Sequence, residues 1–270
     1  DRVQRYWRPY HERLAVELCV ARRERGEPVA YIRAAKEFFG LSFRVDARAL
    51  IPRPETELLV ELALGEATRH LAEGGTDPVR IADVGTGSGA IALAVAATLR
   101  DRGLLPRAAV VATDLSDDAL ALAAENRAEL GLEADVRLLA ADLLPAGERP
   151  FHLVLANLPY VGADDVPNLP VATSFEPVMA LTPGPDGLSL IRRLMDLLPS
   201  ALAPGGLALL EIGGDQGDVI GPAIEASLPG WPWTVEADLA GLPRVAVVRR
   251  PAGPAPEGSA PQGSSPEAAS

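Results

Sequence analysis

Ile81-Ala82-Asp83-Val84-Gly85-Thr86-Gly87-Ser88-Gly89-Ala90 reads as a strand that runs into a glycine-rich turn and then into a helix. Glycines at such a turn let the backbone approach a ligand closely, and the amino terminus of the following helix offers unpaired N–H donors. Outward from this point, apolar strand-like runs alternate with helical patterns. The strands are expected at Val79–Val84, Ala109–Thr113, Asp135–Ala140, Phe151–Ala156, Leu207–Ile212, Thr234–Ala237 and Val245–Val248. Helices are expected between most of them, at Ala90–Arg100, Asp117–Leu130, Leu188–Leu202 and Gln216–Ser227. Strands alternating with helices predict an α/β fold with a mainly parallel sheet covered on both faces. The short link between the last two strands predicts an antiparallel hairpin at the sheet edge.

Ahead of this body, Tyr6 to Arg25 has helix-compatible spacing and ends at Gly26-Glu27-Pro28. Residues Glu37 to Asp46 alternate around Gly40, which predicts a β-hairpin. Ile51-Pro52-Arg53-Pro54 cannot be helical throughout, since each proline pushes its predecessor towards an extended shape, so a loop precedes a helix starting near Glu55. Three segments follow: 1–54, a helical segment and hairpin; 55–250, the main domain; and 251–270, in which 17 of 20 residues are Pro, Ala, Ser or Gly and which is therefore expected to be disordered.

Composition narrows the chemistry. Cys19 is the only cysteine, and His11, His70 and His152 form no ligand spacing, so no metal site is expected. The apolar stretch from Ala90 to Leu99 is far short of the roughly 20 residues of a membrane helix, and no basic-then-apolar leader opens the chain. A cytoplasmic location without membrane contact is expected. Net charge is −12, although residues 1–36 hold nine Arg/Lys against five Asp/Glu. The remaining acidic body repels phosphate backbones, so direct nucleic-acid binding is not expected, and the basic amino-terminal segment is the one candidate docking face.

Gly85-x-Gly87-x-x-Ala90 alone also fits a dinucleotide fingerprint. Asp83 separates the readings, because a carboxylate there would sit badly beside a pyrophosphate but suits the ammonium and sulfonium of S-adenosylmethionine. Asp114 ends the second strand, where it can accept hydrogens from both ribose hydroxyls, and Asp142-Leu143 end the third, beside the adenine. The fourth strand runs into Asn157-Leu158-Pro159-Tyr160. The Asn157 side-chain oxygen and a backbone carbonyl of that turn can accept both hydrogens of an NH2 group and aim its nitrogen at a methyl donor. Pro159 stiffens the turn, and Tyr160 offers a face for a planar group. Glutamine, adenine and cytosine all satisfy this motif.

Further signatures are Arg23-x-x-Gly26-x-Pro28-Val29-x-Tyr31-Ile32, Glu37-Phe38, Leu50-Ile51-Pro52-Arg53-Pro54-Glu55-Thr56-Glu57, Phe175-Glu176-Pro177, Asp186-Gly187-Leu188, Pro204-Gly205-Gly206, Glu211-Ile212-Gly213-x-x-Gln216 and Asp238-x-x-Gly241-x-x-Arg244. On these motifs the chain resembles the PrmC/HemK family of release-factor glutamine methyltransferases from about Arg22 to Arg249. The resemblance implies a seven-stranded, Rossmann-like class I S-adenosylmethionine-dependent methyltransferase domain preceded by a small helical domain and a hairpin that engage the substrate. It implies transfer to the side-chain nitrogen (N5) of the glutamine in the Gly-Gly-Gln motif of class I peptide chain release factors. Carried over by position, Gly85, Thr86, Gly87, Ser88, Gly89, Asp114, Asp142 and Leu143 would contact the cofactor, and Asp83 and Asn157 are expected to join them. Asn157, Pro159 and Tyr160 would be catalytic and, with Leu158, would hold the glutamine, while Arg53 and Glu55 would close a loop over it. The family usually has proline where this chain has Leu158, a spelling shared with adenine dimethyltransferases of ribosomal RNA. An adenine N6 methyltransferase is therefore the alternative. A nicotinamide-dependent dehydrogenase and a non-enzymatic binding module are more distant rivals.

Overall fold

A computed structural model of the 270-residue chain describes residues 2–73, 77–160, 171–177 and 187–253. Among these, β1 (Ala35–Phe38) and β2 (Leu41–Arg44) form a hairpin, and seven strands form the main sheet. These are β3 (Val79–Val84), β4 (Ala108–Asp114), β5 (Val136–Ala140), β6 (Phe151–Ala156), β7 (Leu202–Glu211), β8 (Trp233–Ala237) and β9 (Pro243–Arg249). Their order is β5-β4-β3-β6-β7-β9-β8. The first five pair in parallel, while β9 runs antiparallel to both β7 and β8. The expected edge hairpin is present, with its second strand inserted next to β7.

Helices α1 (Arg2–Glu24) and α2 (Val29–Arg33) precede the hairpin. Then come α3 (Glu57–Ala72), α4 (Ala90–Asp101), α5 (Asp117–Glu129), α6 (Ser189–Ala201) and α7 (Gly217–Ser227). Alternation along each strand divides the core into two layers. Ile81, Leu153, Leu155 and Leu209 face α3 and α4 in one apolar cluster, whereas Ala82, Val84, Val154 and Leu210 join α6 and α7 in the other. Both faces of the sheet are thus covered, which is why its strands read as continuous apolar runs.

Two elements differ from the sequence expectation. The short helix α2 occupies a stretch between the first helix and the hairpin to which no element was assigned, since five residues give no helical period to detect. Strand β7 begins at Leu202, five residues early, because Ala203-Pro204-Gly205-Gly206 stays extended beside β6. A Cβ on Gly206 would crowd the carbonyls of Ala203 and His152, so glycine permits that approach. The expectation of disorder for 251–270 falls, from residue 254 onward, outside the described residues.

Candidate active site at the carboxyl ends of β3 and β6

Strand order reverses between β3 and β6, and open α/β sheets bind ligands at such a switch point. The register pairs Val84 with Ala156, so Gly85 and Asn157 leave the two strands side by side. A cavity of about 730 Å³ opens there. Gly85, Gly87, Asp114, Asp142, Leu143, Asn157, Leu158 and Pro159 line it, together with Asp46–Leu50 from the segment after the hairpin.

Local structure fixes the glycine turn. Gly85, Gly87 and Gly89 all have positive φ, of 72°, 55° and 84°, values that side chains rarely tolerate. The N–H groups of Gly85 and Thr86 donate to the Thr113 carbonyl of the neighbouring strand, at 2.9 and 2.8 Å. A Cβ on Gly85 would lie 2.8 Å from a methyl carbon of Leu158. Leu158 is itself buried, so its side chain seals the underside of the glycine turn. Its departure from proline therefore bears on loop packing.

Asp114 carries two loads at once. One carboxylate oxygen accepts the Gly87 N–H at 2.9 Å and the other accepts the Ser116 N–H at 2.9 Å. Lone pairs remain on both oxygens for two adjacent hydroxyls. Leu143 holds a left-handed φ of 67°, kept there by the Thr113 hydroxyl donating to its carbonyl at 2.7 Å. Backbone strain of this kind gathers at ligand sites. Asp142 points to the cavity rim, where Arg193 of α6 pairs with it at 2.7 Å.

Asp83 sits elsewhere than the charge argument placed it. It is fully buried and does not line the cavity. One oxygen accepts the Thr86 hydroxyl at 2.6 Å and the Ala92 N–H at 3.1 Å, which ties the turn to the first turn of α4. Its other oxygen has no hydrogen-bond partner among the described residues, and burial pushes the carboxyl up to about 6. Thr86, Ser88 and Gly89 likewise support the turn from behind. The acids that face the cavity are other residues: the lining carries Asp46, Asp114, Asp118 and Asp142 against the single Arg48. A cavity with that balance suits a cationic ligand and opposes a pyrophosphate. Its volume also lies in the range of roughly 300–1,000 Å³ usual for small-molecule sites. S-adenosylmethionine, a nucleoside with a cationic tail, fits these residues.

At the reacting end, the Asn157 side-chain NH2 donates to the Thr56 hydroxyl oxygen at 3.0 Å. Tyr160 lies beyond the lining, its hydroxyl raised above its ordinary acidity range by burial and then by the Glu211 carboxylate. Its carbonyl accepts from Gln216 Nε2 at 3.1 Å, while Gln216 Oε1 accepts the Gly213 N–H at 2.9 Å. Gly187 packs so closely on the same carbonyl that a Cβ would collide with it. Arg53 and Glu55 do not line the cavity either. Arg53 Nη2 instead binds both oxygens of buried Glu176 at 2.8 Å, joining the loop before α3 to the 171–175 turn.

Sequence reasoning assigned no role to Thr56, Glu211, Gln216 or the Asp46–Leu50 wall. Glu211 and Gln216 belong to a motif quoted above, which is the only signal they gave. Apart from Leu50, which opens another of those motifs, the wall has no local signal, because docking of the hairpin on α5 creates it. Asn126 of α5 accepts the Arg44 N–H at 2.7 Å and donates to the carbonyls of Arg44 and Ser88, at 3.1 and 2.9 Å. Arg48 then spans Asp46 and Glu125, each at 2.7 Å.

The seven-stranded order and the cavity at its switch point define a class I methyltransferase domain. Residues 81–172 match the family described as a methyltransferase domain. A methyltransferase from Pyrococcus furiosus superposes with a TM-score of 0.52 at 17% identity, covering 85% of this chain and 97% of that one. The hMettl16 catalytic domain in complex with a MAT2A 3′UTR hairpin gives 0.60 at 15% identity, covering 78% and 76%. At such identities the likeness shows the fold alone. Sequence relatives go further. The release factor glutamine methyltransferase of Deinococcus radiodurans is 39% identical over 87% of this chain and 78% of its own length. Those of Bordetella pertussis and Neisseria gonorrhoeae are 43% and 40% identical, covering 78% and 88% of this chain and 73% and 82% of theirs. The chain belongs to the release factor glutamine methyltransferase family, and it is an S-adenosylmethionine-dependent enzyme. No described helix is long and apolar enough to cross a membrane.

Proposed function

We propose that the chain methylates the side-chain nitrogen of the glutamine in the Gly-Gly-Gln motif of class I peptide chain release factors, in the cytoplasm. Residues 1–54 form the substrate-docking segment and 55–250 the catalytic domain in this reading. The observation that carries it is the placement of Asn157 at the cavity wall with its NH2 turned inward onto Thr56. That leaves the Asn157 oxygen as the group to accept a hydrogen from an incoming amide.

Bound S-adenosylmethionine supplies an electrophilic methyl group on a sulfonium. The rest is positioning. An amide nitrogen is a poor nucleophile because its lone pair is delocalised into its carbonyl, so its hydrogens must be held and its face turned. Asn157 and a carbonyl of the Leu158–Pro159 turn accept the two N–H groups, and Pro159 restricts the turn. Such alignment of two bound reactants supplies roughly 7–11 kcal/mol. The nitrogen becomes acidic only as the new N–C bond forms and gives its proton to water, so no strong base is needed. Asp114 would hold the ribose hydroxyls, and the Asp142–Leu143 turn would flank the adenine. The acidic body disfavours nucleic acid as the methyl acceptor.

Mass spectrometry of a release factor incubated with the enzyme and S-adenosylmethionine tests the assignment. One added methyl is expected on the Gly-Gly-Gln peptide. A methyl group on any other residue, or none, would contradict it.

A further inference from the structure

Glu211 ends β7, next to β6 in the sheet. Leu210 pairs with Ala156, so Glu211 and Asn157 leave the two strands together. Glu211 is 1% exposed, yet among the described residues neither of its oxygens makes a hydrogen bond of normal geometry. Leaving a carboxylate unpaired in a protein interior is costly, and a well-packed apolar residue would be cheaper. The cost makes sense if the carboxylate acts on its neighbours.

Those neighbours form an ordered chain. Buried Thr56 accepts from Asn157 Nδ2, which commits its oxygen and leaves its hydroxyl hydrogen free. The Thr56 hydroxyl is near enough to Glu211 to favour its ionised form, and since an ionised carboxylate can only accept, a small rotation of the hydroxyl gives it that hydrogen. With the hydroxyl aimed at Glu211, Thr56 can only accept from Asn157, and the asparagine must present NH2 inward and its oxygen to the cavity. We infer that Glu211 is a positioning residue for the transfer: acting through Thr56, it fixes which end of the Asn157 amide faces the substrate. This rests on an amide-bearing substrate at Asn157, as proposed above.

The charged and titratable groups around Glu211 agree with a carboxylate poised between states. Burial pushes its carboxyl up to about 7; the Thr56 hydroxyl, Arg244 of β9 and the Asn157 amide favour ionisation, while Glu55 from the turn before α3 opposes it. Tyr160 faces it from the loop after β6. Once protonated, Glu211 donates to Thr56 instead. The threonine hydrogen then turns to Asn157, which must offer its oxygen inward and its NH2 to the cavity. There it opposes the N–H groups of the substrate.

The test uses full-length E211Q, T56V and T56S proteins with a release factor. Glutamine at 211 can donate or accept, so it no longer dictates the order. E211Q and T56V should each lose roughly tenfold to a hundredfold in kcat with cofactor affinity little changed, since misdirected groups cost about that much. T56S keeps the hydroxyl and should stay near wild type. The wild-type kcat should rise with pH through about 7, and E211Q should lack that limb. E211Q at wild-type kcat with the limb intact would overturn the inference, as would T56S as impaired as T56V. A wild type that does not label the release factor defeats the reading above instead. One arm needs no substrate: the Asn157 side-chain NH2 resonance, identified by its loss in N157D, should shift with pH through about 7 in wild type and not in E211Q. An invariant resonance in wild type overturns the relay whatever the substrate.

Discussion

Asn157 works in this account through what holds it. Asn157→Ala removes an oriented acceptor while sparing the cavity floor, so turnover should fall by roughly 2–4 kcal/mol with cofactor affinity nearly unchanged. Single-turnover kinetics beside cofactor titration separate the two effects. Glu211 offers a stability signature of the opposite sign. Its folded pKa of about 7 lies above the ordinary 4.5, so the folded state holds a proton that the unfolded state has shed between those values. Stability contributed by that group therefore declines as pH rises from about 4.5 to 7 and stays low above. Glu211→Gln should raise Tm at pH 8 while turnover drops; a purely structural carboxylate would lower both. Gly85→Ala should cripple cofactor binding, because its Cβ would meet Leu158 and its φ of 72° is strained for alanine. Isothermal titration would report wild-type affinity if the turn is more forgiving than the geometry says. The residue scale also shows where sequence logic stops. Charge alone led to Asp83, and an acidic ligand site is present, but the acids that line it are Asp46, Asp114, Asp118 and Asp142. Which side of a turn a carboxylate faces depends on Thr86 and Ala92 claiming it, and no spacing rule records that.

Elements were more legible than residues because periodicity reports them directly. Val79–Val84 and Phe151–Ala156 are strands over the expected limits, since each is an unbroken apolar run bounded by turn residues. The hairpin forms as its pattern indicates, with Phe39 and Gly40 both at positive φ in the two-residue turn. What no pattern could reveal is where that hairpin docks. Asn126 holds it to α5 through a buried amide whose oxygen and nitrogen are both bonded, and the same nitrogen reaches the glycine turn at Ser88. Asn126→Ala strands the Arg44 N–H and two carbonyls and should cost about 2–3 kcal/mol, more than an average surface change. Chemical denaturation would measure the loss. Hydrogen exchange should show it concentrated in β2 and residues 46–50, with β3 to β7 still protected. Uniform loss of protection across the sheet would contradict this local role.

At the scale of the whole molecule, a mainly parallel sheet, its switch point and an acidic body combine, in the proposed reading, to present one NH2 group to one methyl donor. Family membership points to a release factor as the acceptor, and in the proposed reading the net charge of −12 disfavours nucleic acid. As proposed, the Asn-Leu-Pro-Tyr turn by itself would select only a planar NH2 group. The substrate becomes legible through the Ile51–Glu57 signature, and that stretch supplies Thr56, which holds Asn157 in place. The most direct measurement follows methyl label from S-adenosylmethionine in parallel reactions with a release factor, its Gln→Ala variant in the Gly-Gly-Gln motif, and nucleic acid. Label on the intact factor alone is the predicted result; label on nucleic acid, or undiminished label on the Gln→Ala factor, would contradict it.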